Sequence, residues 1–117
     1  AECQVPGGVS DLYAGAGNLV YAAPDSLSEI WGIDTGTGQK YASWTVQSPP
    51  LSVASTPDDN YLYVAYQSSG VSVYNSQNGE EEAFTSGYGT VFDMAVNGSG
   101  RRALLCSNLS KIISLEK

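Results

Sequence analysis

Apolar and polar residues alternate along this chain in bursts of five or six, and turn-forming residues cut in between. The clearest burst is PDDNYLYVAYQSSGVSVYN, residues 57–75, which predicts two strands joined by a polar turn. Strands are expected over 51–55, 61–66, 70–75 and 80–86, with turns at 57–60, 68–70 and 75–79. No window holds a helical period, because Gly, Pro or a β-branched residue interrupts each candidate. Leu62, Val64 and Tyr66 alternate with Tyr61, Tyr63 and Ala65, so both faces of the central strand are apolar. A sheet with one wet face alternates apolar with polar. The pattern instead predicts small sheets covered on both sides.

The pattern also repeats. Residues 70–75 stand 41 positions after residues 29–34, and residues 111–116 stand 41 further on. Residues 11–14, 52–55 and 93–96 share that spacing. The strand between them, residues 19–23, matches residues 62–66 at 43, and residues 103–107 follow at 41. The expected units are approximately 7–48, 49–89 and 90–117, within one segment spanning 1–117. Residues 3–6 align with 44–47, which makes 1–6 a closing outer strand for a blade begun elsewhere. Four strands per unit, a period near 40–45 residues and covered faces together predict an all-β fold of β-propeller blades. About three blades of four antiparallel strands fit in this chain.

Propeller rings typically hold four to eight blades, so a partial ring completed from outside is expected. A second copy of the chain makes six blades with two-fold symmetry. Alternatively, the chain is a piece of a larger propeller whose other blades lie elsewhere.

The stretch Thr56-Pro57-Asp58-Asp59-Asn60-Tyr61-Leu62-Tyr63-Val64-Ala65, followed by residues 70–75 and Asn78-Gly79, resembles the YVTN-type repeat that also characterises lactonase-like propellers. The resemblance covers most of the central unit and parts of its neighbours. Asp59 stands where that repeat usually has Gly, and Pro57-Asp58 has no counterpart in the other two units. The resemblance implies the fold. Lactonase-like enzymes use conserved polar and charged residues at the funnel, and none of those maps onto this chain.

Composition narrows the function. Apolar residues make up 42% of the chain and charged residues only 15%, with 13 glycines, which suits a turn-rich β protein of the secreted kind. A net charge of −7 argues against nucleic acid and anionic membrane surfaces as partners. No apolar run approaches the ~20 residues of a membrane helix, so no membrane insertion is expected. The sequence opens on Ala-Glu-Cys, as a mature secreted chain or a cut fragment does.

The chain contains no histidine, which removes the usual general base and the commonest metal ligand. No catalytic constellation, cofactor or metal site is expected. Cys3 and Cys106 lie near opposite ends. A bridge between them contributes about 4–5 kcal/mol in the loop-entropy model. Against it, a fourth and a second strand of one blade lie about 9–10 Å apart, beyond the ~7 Å a disulfide spans. Without a bridge, Cys106 is a core thiol in the place of Ala65.

Candidate binding residues are of two kinds. Asp11 and Asp93 occupy one repeat position in the innermost strands, where they either line the channel or bond neighbouring backbone amides. Trp31, Trp44, Tyr41 and Tyr88 offer stacking surfaces for a carbohydrate or a protein, or else pack between blades. Tyr88, flanked by Gly87 and Gly89, is the best single contact residue. Asn97 and Asn108 open glycosylation sequons on expected turns. Glu80, Glu81 and Glu82 read as a solvated strand edge that discourages edge pairing. The expectation is a non-catalytic, secreted or cell-surface propeller module for binding or assembly. The alternative is part of a lactonase-like enzyme with its catalytic residues on other blades or another chain.

Overall fold

The computed structural model describes residues 5, 7–68, 70–87, 90–96, 102–107 and 111–116, with Phe92 and the last two segments described as backbone. Among these, the regular elements are all strands. The first sheet is a four-stranded antiparallel meander of β1 (Val9–Ala14), β2 (Leu19–Pro24), β3 (Glu29–Asp34) and β4 (Gln39–Thr45). The second repeats that order with β5 (Pro50–Ser55), β6 (Tyr61–Tyr66), β7 (Val71–Asn75) and β8 (Glu81–Thr85). The third holds β9 (Val91–Val96), β10 (Arg102–Ser107) and β11 (Lys111–Glu116).

Local chemistry explains the turns. Asp34 and Asn75, 41 residues apart, each fold the chain back on their own side-chain oxygen. Asp34 Oδ1 accepts from Gly36 N at 2.7 Å, and Asn75 Oδ1 accepts from Gln77 N at 2.8 Å. Each turn then closes on a glycine with positive φ, 71° at Gly38 and 76° at Gly79, where a side chain strains the backbone. Their amides donate back to the Asp34 and Asn75 carbonyls at 2.7 and 2.8 Å. One repeated turn thus sets the β3–β4 and β7–β8 hairpins.

The two faces of β6 belong to different cores. Leu62, Val64 and Tyr66 pack with Tyr21, Ala23, Ile30 and Val53 in the seam between the first two sheets. Tyr63 and Ala65 pack with Val71, Val73, Val91 and Met94 in the seam between the second and third. Face-to-face stacking accounts for the apolar character of both faces. The innermost strands follow one another, β1 beside β5 and β5 beside β9. Each carries a bulge at the same repeat position, between Val9 and Asp11, between Pro50 and Ser52, and opposite the Cys106–Ser107 step.

The pairing register corrects one expected spacing. Ala22 pairs with Leu12, Val64 with Val53, and Leu105 with Met94. Val64 therefore takes the place of Ala22 at 42 residues rather than 43, because the β5–β6 turn is one residue longer than the β1–β2 loop. A one-residue slip exchanges the faces of a strand. Leu19 and Leu62, alike in type, press on the same seam from opposite sheets.

Candidate functional site

The seam between the first and second sheets gathers the polar side chains. Near the start of the inner strands, the Asp11 carboxylate crosses from β1 to β5. Its Oδ2 accepts from Ser52 Oγ at 3.0 Å and from Val53 N at 3.1 Å. Its Oδ1 accepts from Leu12 N at 2.9 Å. Three donors on one carboxylate fix it in place between the two strands.

Past the far end of β5, Asp59 makes the second crossing. It sits in the β5–β6 turn with φ at 60°, the only described non-glycine residue with positive φ. Aspartate tolerates that region better than most residues because its short side chain bonds locally. Here Oδ1 accepts from Tyr21 Oη at 3.1 Å and Ser55 Oγ at 3.2 Å, while Oδ2 accepts from Ala16 N at 3.0 Å. Burial, and next the adjacent Asp59 charge, hold the Tyr21 phenol protonated well above its usual range. The neighbouring Asp58 is pulled below the usual carboxylate range by donors from Thr56 Oγ1 and Asn60 N.

Two shallow hollows flank this crossing. One, about 170 Å³, is lined by Tyr13, Ala14, Gly15, Ala16, Ser55, Thr56, Pro57 and Asp59. The other, about 230 Å³, is lined by Ala16, Asn18, Leu19, Asp34 and Tyr41. Both fall below the ~300 Å³ at which small-molecule sites begin.

Farther out, the same seam is fastened again. Trp44 lies 5.6 Å from the Tyr21 ring and donates from Nε1 to the Ser76 carbonyl at 3.0 Å. Gln47 N donates to Tyr74 Oη at 3.1 Å, and Tyr74 shares a 2.7 Å hydroxyl contact with Tyr66. Gln67 Nε2 reaches back to the Asp25 carbonyl at 2.9 Å.

The candidate residues fall in separate places. Asp11 joins two sheets, whereas Asp93 is exposed and accepts from its own neighbour Met94 N at 2.9 Å. Trp31 is buried, with Nε1 donating to Glu29 at 2.8 Å and Lys40 Nζ 4.2 Å above the ring. Trp44 is half-buried in the seam, and Tyr41 is exposed beside the second hollow. Cys106 occupies the β10 position paired with Asp93, and its side chain lies outside the described residues, as do Cys3, Tyr88, Asn97 and Asn108. No cluster of three metal-ligating residues occurs among the described residues. Asp59 is the seam residue that the sequence pattern does not single out. Its signal was the substitution of a carboxylate for the glycine usual in that turn.

No family model matches the chain. Over 86 residues, 71% of its length, it is 34% identical to Telomerase protein component 1 of Rattus norvegicus, of which it spans 3%. Its backbone is similar to Kuenenia stuttgartiensis hydrazine synthase, with a TM-score of 0.77, 18% identity, and coverage of 100% of this chain and 38% of that one. It is also similar to the Myceliophteria thermophila Cps50 (Swd1) beta-propeller domain, with a TM-score of 0.76, 11% identity, and coverage of 95% and 36%. The chain thus spans little more than a third of the solved chains it resembles and a small part of its curated relative. Identities this low between similar backbones speak for architecture alone. The chain has the β-propeller fold, as an open segment of blades.

Proposed function

We propose that this chain is a stretch of a YVTN-type β-propeller that works as a non-catalytic binding and assembly module, secreted or at the cell surface. The observation that carries this reading is the commitment of both seam carboxylates. Asp11 and Asp59 each accept three hydrogen bonds and each tie the first sheet to the second. A carboxylate engaged by the backbone amides and hydroxyls of two sheets serves to hold those sheets together. The chain offers no histidine to act as a general base. The repeat motif around Tyr61–Tyr66 supports the YVTN assignment, and low charge with abundant Gly and Tyr supports an extracellular setting. The rat relative is by its name one component of a larger entity, in keeping with an assembly role.

The exposed Tyr41 beside the second hollow suits a carbohydrate or protein ligand, and Tyr88, flanked by glycines in the sequence, is the first residue to test. A glycan array probed with the chain and with Tyr88→Ala separates these ligands. Binding lost in the variant supports the carbohydrate version, and binding to no glycan removes it. Hydrolysis of a lactone panel by the purified chain overturns the non-catalytic reading.

A further inference from the structure

One repeat position on the inner strands reads Asp11, Ser52, Asp93. These residues pair with Ala23, Ala65 and Cys106 respectively, so they are equivalent in the three sheets. Between the first two sheets the position forms a clasp. Asp11 Oδ2 receives Ser52 Oγ at 3.0 Å and Val53 N at 3.1 Å, while Asp11 Oδ1 receives its own Leu12 N at 2.9 Å. Val53 N is free to cross because its own sheet has a serine, not an aspartate, at this position.

Asp93 reproduces the donor-seeking half of that clasp. Its Oδ1 receives Met94 N at 2.9 Å, as Asp11 receives Leu12 N. Its Oδ2 has no partner among the described residues, and the side chain is exposed. Asp11 lies on the face of its sheet turned toward the following sheet. By equivalence, Asp93 lies on the face of the third sheet turned away from the second.

We propose that this outer face docks a further propeller blade with Ser or Thr at the position of Ser52, whose hydroxyl and following amide fill Asp93 Oδ2. The inference rests on reading the chain as part of a larger propeller, and it names what the next blade must carry. It also selects against one completion. A second copy of this chain presents its first sheet, where Asp11 stands in the required hydroxyl's place. Leu12 N, the amide that would cross, already donates to Asp11. Asp93 Oδ2 then finds neither a hydroxyl nor a free following amide at that position. Seams built this way alternate Asp-bearing with Ser-bearing blades, which disfavours the homodimeric six-bladed ring.

The test extends the full chain after Lys117 with residues 77–89, as a fourth strand for the third sheet, and then with residues 49–89 as a further blade. A sister protein carries Asp in place of the serine that repeats Ser52. Amide exchange at Met94 and Val96 is read in both by mass spectrometry, with circular dichroism confirming strand content. The expected result is roughly tenfold slower exchange with the serine-bearing blade than with the aspartate-bearing one. Equal protection by both blades overturns the clasp rule while keeping the larger propeller. Protection by neither overturns both. The unextended chain is expected to scatter light as a monomer at neutral pH, and a stable dimer unaffected by Asp93→Asn also overturns the proposal.

Discussion

The Asp59 carboxylate accepts a hydrogen bond from the Tyr21 hydroxyl at 3.1 Å while its own backbone sits at φ 60°. One residue therefore carries a seam contact and a conformational cost together. Asp59→Ala removes three acceptor contacts and keeps the left-handed backbone, so it is expected to cost about 2–4 kcal/mol. Asp59→Gly loses the same contacts but relieves the backbone, and should be milder than alanine by about 1 kcal/mol. Urea unfolding midpoints of the three proteins measure both terms. A glycine variant as unstable as the alanine variant removes the conformational part of this account.

Leu12, Val53 and Met94 are a second repeat position, and their surroundings differ by sheet. Val53 is 0% exposed and Met94 4%, because each faces the preceding sheet, while Leu12 is 62% exposed on the outer face of the first sheet. Val53→Ala is expected to cost about 1.5–3 kcal/mol through lost burial and a residual cavity. Leu12→Ala should stay within about 0.5 kcal/mol. In a protein where a preceding blade covers the first sheet, Leu12→Ala is expected to rise to the Val53 level. Thermal unfolding of the two variants, alone and in that longer protein, reads the difference.

Much of this architecture was legible from residue types. Positions such as Asp34 and Asn75, or Gly38 and Gly79, repeat because the same turn needs the same oxygen and the same positive φ. The spacing of β2 and β6 was misread by one residue because Leu19 and Leu62 share a chemistry but not a face. Apolar character on both sides of a strand leaves register without a polar marker. The clasps were harder still. Asp11 was recognisable as an inner-strand carboxylate, but its crossing to Ser52 and Val53 depends on how two sheets stack. Asp59 betrayed itself only by occupying a glycine position.

Three buried phenols predict how the fold responds to alkali. Burial holds Tyr63 and Tyr66 protonated above the ordinary range, and burial followed by the Asp59 charge does the same to Tyr21. In the unfolded chain these groups release their protons near pH 10 or so, about the unperturbed value. The folded chain keeps them beyond that point and so binds more protons. The stabilisation is complete below about pH 10 and falls as the pH climbs toward the folded values. Phenolate absorbance should therefore rise for these tyrosines only as near-ultraviolet circular dichroism is lost. Smooth titration of all eight tyrosines with the fold intact counters the prediction.

Tyr63 and Tyr66 lie on opposite faces of β6 and should respond oppositely to loss of their hydroxyls. Tyr63 Oη is buried with no hydrogen-bond partner among the described residues, in the seam toward the third sheet. Tyr66 Oη contacts Tyr74 Oη at 2.7 Å, and Tyr74 in turn accepts from Gln47 N at 3.1 Å. Tyr63→Phe removes an unsatisfied polar group from a dry site and is expected to be neutral or to stabilise by about 1 kcal/mol. Tyr66→Phe strips a partner from Tyr74 and should destabilise by about 1 kcal/mol. The two side chains belong to different cores, so the double variant should equal their sum within about 0.5 kcal/mol. Chemical denaturation of the two single variants and the double variant provides the check. Destabilisation by Tyr63→Phe as large as by Tyr66→Phe shows that a partner for Tyr63 forms in solution, and with it that the seam to the third sheet admits water.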